Sequence, residues 1–95
     1  MPEIYNVKVL ESVKKSLKKI PLHIAIKFQG WIDAVGEQGW SVISKIPGYH
    51  DEPLKGKRAG QRSIRLNKAY RAIYIIDKSG SIHFIEVQEV SKHEY

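Results

Sequence analysis

A run of cations in the second half of the chain, followed by a terminal histidine and tyrosine, offers the clearest chemistry in this sequence. Residues 55–71 contain seven cations and no acidic residue, and the chain ends in His93-Glu94-Tyr95. An arginine guanidinium presents a planar fork of donors that suits a phosphate, and a histidine exchanges protons near neutral pH. These residue types indicate binding of RNA and its cleavage without a metal ion. The seven cations are Lys55, Lys57, Arg58, Arg62, Arg65, Lys68 and Arg71.

Individual roles follow from where these cations fall on the predicted strands. Arg65 shares the polar side of its strand with Ser63, and Arg71 begins the next strand. We expect both to hold phosphate, although a buried ion pair with Asp77 or Glu86 is an alternative for Arg71. The remaining predicted RNA contacts are Lys55, Lys57, Arg58, Arg62 and Lys92. For Lys55 and Lys57, simple solvation is the alternative.

Composition limits the class of protein. The 95 residues carry a formal charge of +6, from 16 Lys and Arg against 10 Asp and Glu. We expect one domain spanning residues 1–95 and an anionic partner. The absence of cysteine excludes disulfides and thiolate metal sites, and no apolar run is long enough to span a membrane. The sequence therefore predicts a cytoplasmic protein without a membrane partner.

Metal or cofactor chemistry has little support in the sequence. His50, Asp51 and Glu52 are adjacent, but with His83 or His93 they do not form a metal-ligand spacing. The chain has no glycine-rich phosphate-binding loop. We therefore expect neither a metal nor a cofactor.

Two amphipathic segments in the first half predict helices. After a first strand within residues 4–10, Ser12 is placed to cap a short helix, which Pro21 ends. The second helix carries two apolar stripes, so we expect burial around much of its circumference. One stripe contains Leu22, Ala25, Ile26, Gln29 and Ile32, and the other contains Ile24, Phe28, Trp31 and Val35.

The second half alternates as an antiparallel meander. Turn signals near Asn67-Lys68 and at Lys78-Ser79-Gly80 separate three strands, the last two being predicted over Tyr70–Asp77 and Ser81–Val87. The resulting order is β-α-α-β-β-β. This predicts an α+β domain in which two helices pack on one face of a four-stranded, mainly antiparallel sheet.

Residues 52–74 resemble the RelE/ParE superfamily of bacterial type II toxins, most closely its YoeB branch, with kinship to RelE and HigB. The predicted element order is also similar to that superfamily over the whole chain. The matching motif aligns without a gap. Its residues are Glu52, Pro53, Leu54, Lys55, Gly60, Ser63, Arg65, Arg71 and Tyr74.

The resemblance implies an activity and partners. Ribonuclease members of the family cleave mRNA in the decoding site of the ribosome without a metal, and a cognate antitoxin holds them inactive. By this resemblance Glu52 is the general base that removes the 2′-hydroxyl proton, and Arg71 stabilises the transition state. The alternative for Glu52 is simple pairing with a neighbouring cation.

The C-terminus resembles the YoeB pattern but departs from it. YoeB closes with adjacent His and Tyr, whereas Glu94 separates His93 from Tyr95 in this chain. We expect these two residues to assist departure of the 5′-oxygen, and the sequence leaves open which of them is the acid. The alternative is a frayed tail without a role.

Two other functions are compatible with the same sequence. ParE members of the superfamily inhibit DNA gyrase, and such a toxin would need neither Glu52 nor His93. A non-catalytic module that binds RNA or the ribosome would need the cations alone. The favoured hypothesis is a metal-independent, ribosome-dependent endoribonuclease.

Overall fold

The computed structural model describes residues 3–92, in which helices cover one face of a single sheet. Single-turn 3-10 helices at Pro47–Tyr49 and Gly56–Arg58 lie in the loops on either side of the second strand. The elements are β1 (Val7–Val9), α1 (Glu11–Leu17), α2 (Leu22–Gln38), α3 (Trp40–Ile43), β2 (Glu52–Pro53), β3 (Arg62–Arg65), β4 (Tyr70–Ser79) and β5 (Ile82–Lys92).

The sheet has five strands in the order β1-β5-β4-β3-β2. Strand β1 runs parallel to β5, and the other three pairings are antiparallel. The α+β class is therefore confirmed, but the predicted number of four strands is wrong. The additional strand is β2, which has two residues, one of them Pro53. A strand this short has no readable periodicity, and proline is tolerated there because β2 lies at the edge of the sheet.

The helical layer buries one stripe of α2. Ile24, Phe28, Trp31 and Val35 are at most 2% exposed and form the core together with residues from α1, α3 and the sheet. The expectation that both stripes of α2 are buried is wrong for most of the second stripe: Leu22 is 74% and Ile26 63% exposed, and Ile32 is only partly buried. When only one side of a helix contacts the sheet, the helix needs only one apolar stripe.

The N-terminus of α1 differs from the prediction. Helix α1 begins at Glu11 after Leu10, without a side-chain cap, so the predicted cap at Ser12 is wrong. The Ser12 carbonyl instead accepts a hydrogen bond from the Ser16 hydroxyl, one turn further along the helix. Pro21 lies directly before α2, and its carbonyl accepts hydrogen bonds from backbone N–H groups of the first turn, those of Ile24 and Ala25.

The meander follows the predicted turns but has longer strands. Asn67 closes the turn between β3 and β4 by accepting from the backbone N–H groups of Ala69 and Tyr70. The β4–β5 turn contains Gly80 at φ 61°, where a side chain would be strained. A register shift between Ile73 and Tyr74 marks an irregularity in the long β4–β5 pairing.

Strand alternation gives the sheet two chemically different faces. Ala72 and Tyr74 point into the core beneath the helices. Their neighbours point to the opposite side, which we call the open face; its cross-strand pairs include Glu52 with Ser63 and Arg65 with Arg71. All four of these open-face residues belong to the motif found in the sequence.

Candidate active site on the open face

A shallow pocket on the open face brings together the central residues of the motif. Glu52 enters it from β2, Arg65 from β3 and Arg71 from β4. Thus residues separated by up to 19 positions in the chain share one pocket because β2, β3 and β4 are consecutive neighbours in the sheet. The full lining is His50, Glu52, Ser63, Ile64, Arg65, Asn67, Lys68, Tyr70 and Arg71.

Two arginines form the cationic side of this pocket. Arg65 and Arg71 are directly opposite each other on antiparallel strands. Within residues 3–92, no hydrogen bond or salt bridge engages either guanidinium, and Arg71 is not paired with Asp77 or Glu86. Like charges in this position repel each other. The arrangement is therefore suited to an anion that would hold both guanidinium groups.

Glu52 lies at the acidic edge of the same pocket. Its carboxylate is about half exposed, and its Oε2 is 3.6 Å from Nε2 of His50. His50 adopts a left-handed backbone conformation with φ 49°, which is uncommon for a residue other than glycine. The side chain that the structure places beside the Glu52 carboxylate is thus a histidine, which forms an ion pair with it only when protonated.

Some of the other predicted RNA contacts are exposed cations, and others already pair with a carboxylate of the protein. Lys55, Lys57 and Lys92 are exposed, and Lys92 pairs across the sheet with the pocket residue Tyr70. Arg58 instead forms a 2.9 Å salt bridge with Glu89. Arg62 points to the helical face, where its Nε donates to Asp51 at 2.9 Å. The predicted RNA contacts by Arg58 and Arg62 therefore compete with contacts inside the protein.

Directly behind Glu52 lies a buried polar network that sequence reasoning missed. The Asp51 side chain is 1% exposed and accepts hydrogen bonds from Arg62 and from the Tyr74 hydroxyl, the latter at 2.5 Å. Trp40 Nε1 donates to the Tyr74 oxygen at 2.8 Å, and its ring lies 5.3 Å from the Arg62 guanidinium carbon. The available signal was an acidic residue beside Glu52, but nothing in its spacing indicated burial.

Burial governs the electrostatics of this network. Loss of water raises the pKa of Asp51, and the Tyr74 hydrogen bond and the Arg62 charge oppose that rise. Burial likewise raises the pKa of Tyr74, and the adjacent Asp51 charge raises it further. Tyr74, a member of the motif, is therefore a neutral hydrogen-bonding group within the protein.

The sequence also made predictions about metal binding, a membrane span and the C-terminal acid. Across residues 3–92 there is no cluster of three His, Cys, Asp or Glu side chains that could hold a metal ion. Over the same range, no helix is long and apolar enough to cross a membrane. His93 and Tyr95, the predicted acid end, lie outside the described residues, so their roles remain predictions.

The fold and the pocket define a class: a small α+β protein with a cationic cleft on the open face of its sheet. No family model matches the chain, and no curated protein matches it significantly. Solved structures do match it over nearly its whole length.

Three toxin structures illustrate the similarity. A YoeB/ParE toxin from Agrobacterium tumefaciens is 22% identical, with 94% of this chain and 99% of that one covered and a TM-score of 0.67. YafQ from E. coli is 12% identical, with 92% and 91% covered and a TM-score of 0.70. A chain of the RelBE2 toxin–antitoxin complex from Mycobacterium tuberculosis is 26% identical, with 94% and 98% covered and a TM-score of 0.57. The predicted resemblance to RelE/ParE toxins near the YoeB and RelE branch is thus confirmed in the fold.

Proposed function

We propose that residues 1–95 form one toxin domain of a toxin–antitoxin pair, which cuts mRNA on the ribosome without a metal ion and thereby inhibits translation. The observation that carries this proposal is the pocket in which Glu52 faces the Arg65–Arg71 pair. It supplies an acceptor for a proton and two donors for a phosphate on one open surface. The structural similarity to YoeB, YafQ and RelE-type toxins supports the same function.

The chemistry proposed for this pocket is an internal transesterification. Glu52 removes the proton from the 2′-hydroxyl, and the 2′-oxygen attacks the adjacent phosphorus. Arg65 and Arg71, with Lys55 and Lys57 on the neighbouring loop, stabilise the negative charge of the phosphorane. An acid from the His93–Tyr95 end protonates the departing 5′-oxygen. The products are a 2′,3′-cyclic phosphate and a new 5′-hydroxyl end.

The partners of the protein follow from the same proposal. The RelBE2 structure and a YoeB–YefM structure from Staphylococcus aureus are both toxin–antitoxin complexes. We infer that this chain binds a cognate antitoxin protein, and that its substrate is mRNA on the ribosome in the cytoplasm. The net charge of +6 suits an RNA-rich surface.

Induction of the chain alone, followed by growth measurement and primer extension on cellular mRNA, tests the proposal. The wild type should arrest growth and create new 5′ ends inside translated codons. Arg71→Ala and Glu52→Gln should each abolish those ends, because one loses phosphate stabilisation and the other the base. Lys19→Ala, which removes an exposed cation after α1, is the matched control and should behave as wild type.

The remaining outcomes identify the rival functions. Growth arrest with intact transcripts would contradict the nuclease and point to gyrase inhibition. Intact transcripts without arrest, but with retained ribosome binding, would indicate a non-catalytic module. A chain ending at Lys92 tests the terminal residues separately, and it should lose cleavage while keeping its affinity for RNA.

A further inference from the structure

The residue that precedes Glu52 has an environment opposite to that of Glu52 itself. Asp51 is almost completely buried on the helical side, whereas Glu52 is about half exposed at the pocket on the open face. A buried carboxylate is unfavourable unless it is held by hydrogen bonds. Asp51 has two such bonds, one from Arg62 on β3 and one from Tyr74 on β4.

Arg62 and Tyr74 are each adjacent in sequence to a residue that lies in line with Glu52 across the sheet. Arg62 precedes Ser63, the cross-strand partner of Glu52, and Tyr74 follows Ile73, the cross-strand partner of Ser63. The Asp51 carboxylate therefore binds to the strands at the same level of the sheet at which Glu52 must project on the other side.

The backbone pairing of strand β2 is short: it has two cross-strand pairs, followed by a bond from the Leu54 N–H to the Gln61 carbonyl at 2.8 Å. The strand has two residues, and one of them is a proline, which lacks a backbone donor. His50, which precedes Asp51, has a left-handed backbone, so the chain turns sharply just before the network. A short edge strand of this kind is weakly specified by its own backbone pairing.

We propose that Asp51 is the positioning residue of the active site, and that through Arg62 and Tyr74 it holds the Glu52 carboxylate at the scissile phosphate. This inference rests on the proposed function, because it takes Glu52 as the base. Asp51 does not touch RNA. Arg62, although it belongs to the cationic run, serves this network rather than the phosphate.

The test is single-turnover cleavage of mRNA on programmed ribosomes by Asp51→Asn and Tyr74→Phe, with folding checked by circular dichroism and thermal unfolding. Each variant weakens the hold on the loop while keeping nearly the same shape. We expect the cleavage rate at saturation to fall ~100-fold, the scale of a misplacement of about 1 Å, while KM changes by less than about threefold. A matched control is Glu86→Gln, which replaces another sheet carboxylate; within residues 3–92 its side chain accepts a hydrogen bond from Gln88 alone.

A double-mutant cycle separates positioning from a merely structural role. If Asp51 acts through Glu52, Asp51→Asn should reduce the residual rate of Glu52→Gln by less than about threefold, because the group it positions is already gone. A full additional loss in that background would overturn the inference, and so would a lowered melting temperature with an unchanged cleavage rate. Tyr74→Phe provides the same cycle if Asp51→Asn does not fold.

Failure of the underlying function gives a different result. Should Glu52→Gln cleave as fast as wild type, or wild type not cleave at all, the proposed base and the inference are both overturned. If Glu52→Gln is inactive but both network variants cleave normally, the inference alone is overturned.

Discussion

At the scale of single residues, the role proposed for Arg65 and Arg71 opposes the stability of the sheet. Their side chains are direct cross-strand neighbours of the same charge, and neither has a salt bridge within residues 3–92. A pair of opposite charge, or of one charged and one neutral residue, would favour the sheet. An anion bound between the two guanidinium groups, as proposed above, would relieve this repulsion.

The repulsion can be measured. Arg65→Ala should raise the free energy of unfolding by about 0.5 kcal/mol, because it removes one of two facing like charges. That corresponds to a melting temperature higher by roughly 2–4 °C in low salt. Arg65→Lys keeps the charge and is the control, which should show no gain. If the two variants are equally stable, or if the gain persists unchanged at about 1 M salt, repulsion is not the cause.

At the scale of elements, the loop between β2 and β3 is attached to β5 by side chains. Arg58 bonds to Glu89 at 2.9 Å, and Gln61 donates to Gln88 at 2.8 Å. The loop carries Lys55 and Lys57, so its placement determines where those exposed cations lie relative to the pocket. The Ser91 hydrogen bond, followed by the contacts from Arg58 and the charge of Arg71, lowers the pKa of Glu89 despite partial burial.

This shift predicts a pH dependence of stability. The unfolded chain binds a proton at Glu89 near pH 4.5, above the pH at which the folded protein does, so the stabilisation is present above pH 4.5 and is lost as the pH falls below it. Glu89→Gln should therefore lose stability relative to wild type at neutral pH, and the difference should narrow in acid. Urea unfolding across the pH range measures it.

Ser91→Ala is the matched control for this pH dependence, since it removes the largest contribution to the shift while keeping the carboxylate. It should weaken the acid dependence in the same direction as Glu89→Gln. If the free energies of unfolding of wild type and Glu89→Gln differ by the same amount from neutral to acid pH, Glu89 is not the source of the pH dependence.

At the scale of the whole molecule, the cations of residues 55–71 do not all lie on the same side of the sheet. Arg65 and Arg71 lie on the open face, whereas Arg62 points to the helices. Arg58 forms a salt bridge with Glu89. The proposed phosphate contacts are Lys55, Lys57, Arg65 and Arg71. Each neutralised phosphate of a single strand contributes about −0.7 to the slope of log K against log salt.

The salt dependence of RNA binding tests whether these cations contact phosphate. Glu52→Gln protein, used to prevent cutting, should bind a single-stranded RNA oligonucleotide with a slope of about −3. Adding Arg65→Ala should make the slope shallower by about 0.7, whereas adding Lys19→Ala should leave it unchanged. An equal effect of both substitutions would show that RNA binding depends on net charge rather than on the open face.

Part of the site could be predicted because it lies in contiguous sequence or regular alternation. The motif of residues 52–74 contained Glu52, Arg65 and Arg71, which the structure places in one pocket. Period-two alternation correctly assigned Ser63 and Arg65 to one side of their strand, because successive side chains of a strand point to opposite faces. The buried stripe of α2 was likewise readable from its helical spacing.

The errors arose where local pattern carries no information about neighbours. Leu22 and Ile26 are as apolar as the buried stripe of α2, but no other element in the described part of the chain covers them. Strand β2 is too short to show a period. Arg58 and Arg62 looked equivalent to the other cations, although their partners Glu89 and Asp51 lie 31 and 11 residues away in the chain.

The sequence by itself determined the α+β class, the meander and the residue types of the pocket, because periodicity and turn chemistry are local properties. Only the tertiary structure decided which cations face the open side, and that Asp51 is buried behind Glu52. Both depend on strand neighbours and register, which join residues distant in the chain. Burial and charge pairing are properties of that assembled sheet, so no local pattern could assign them.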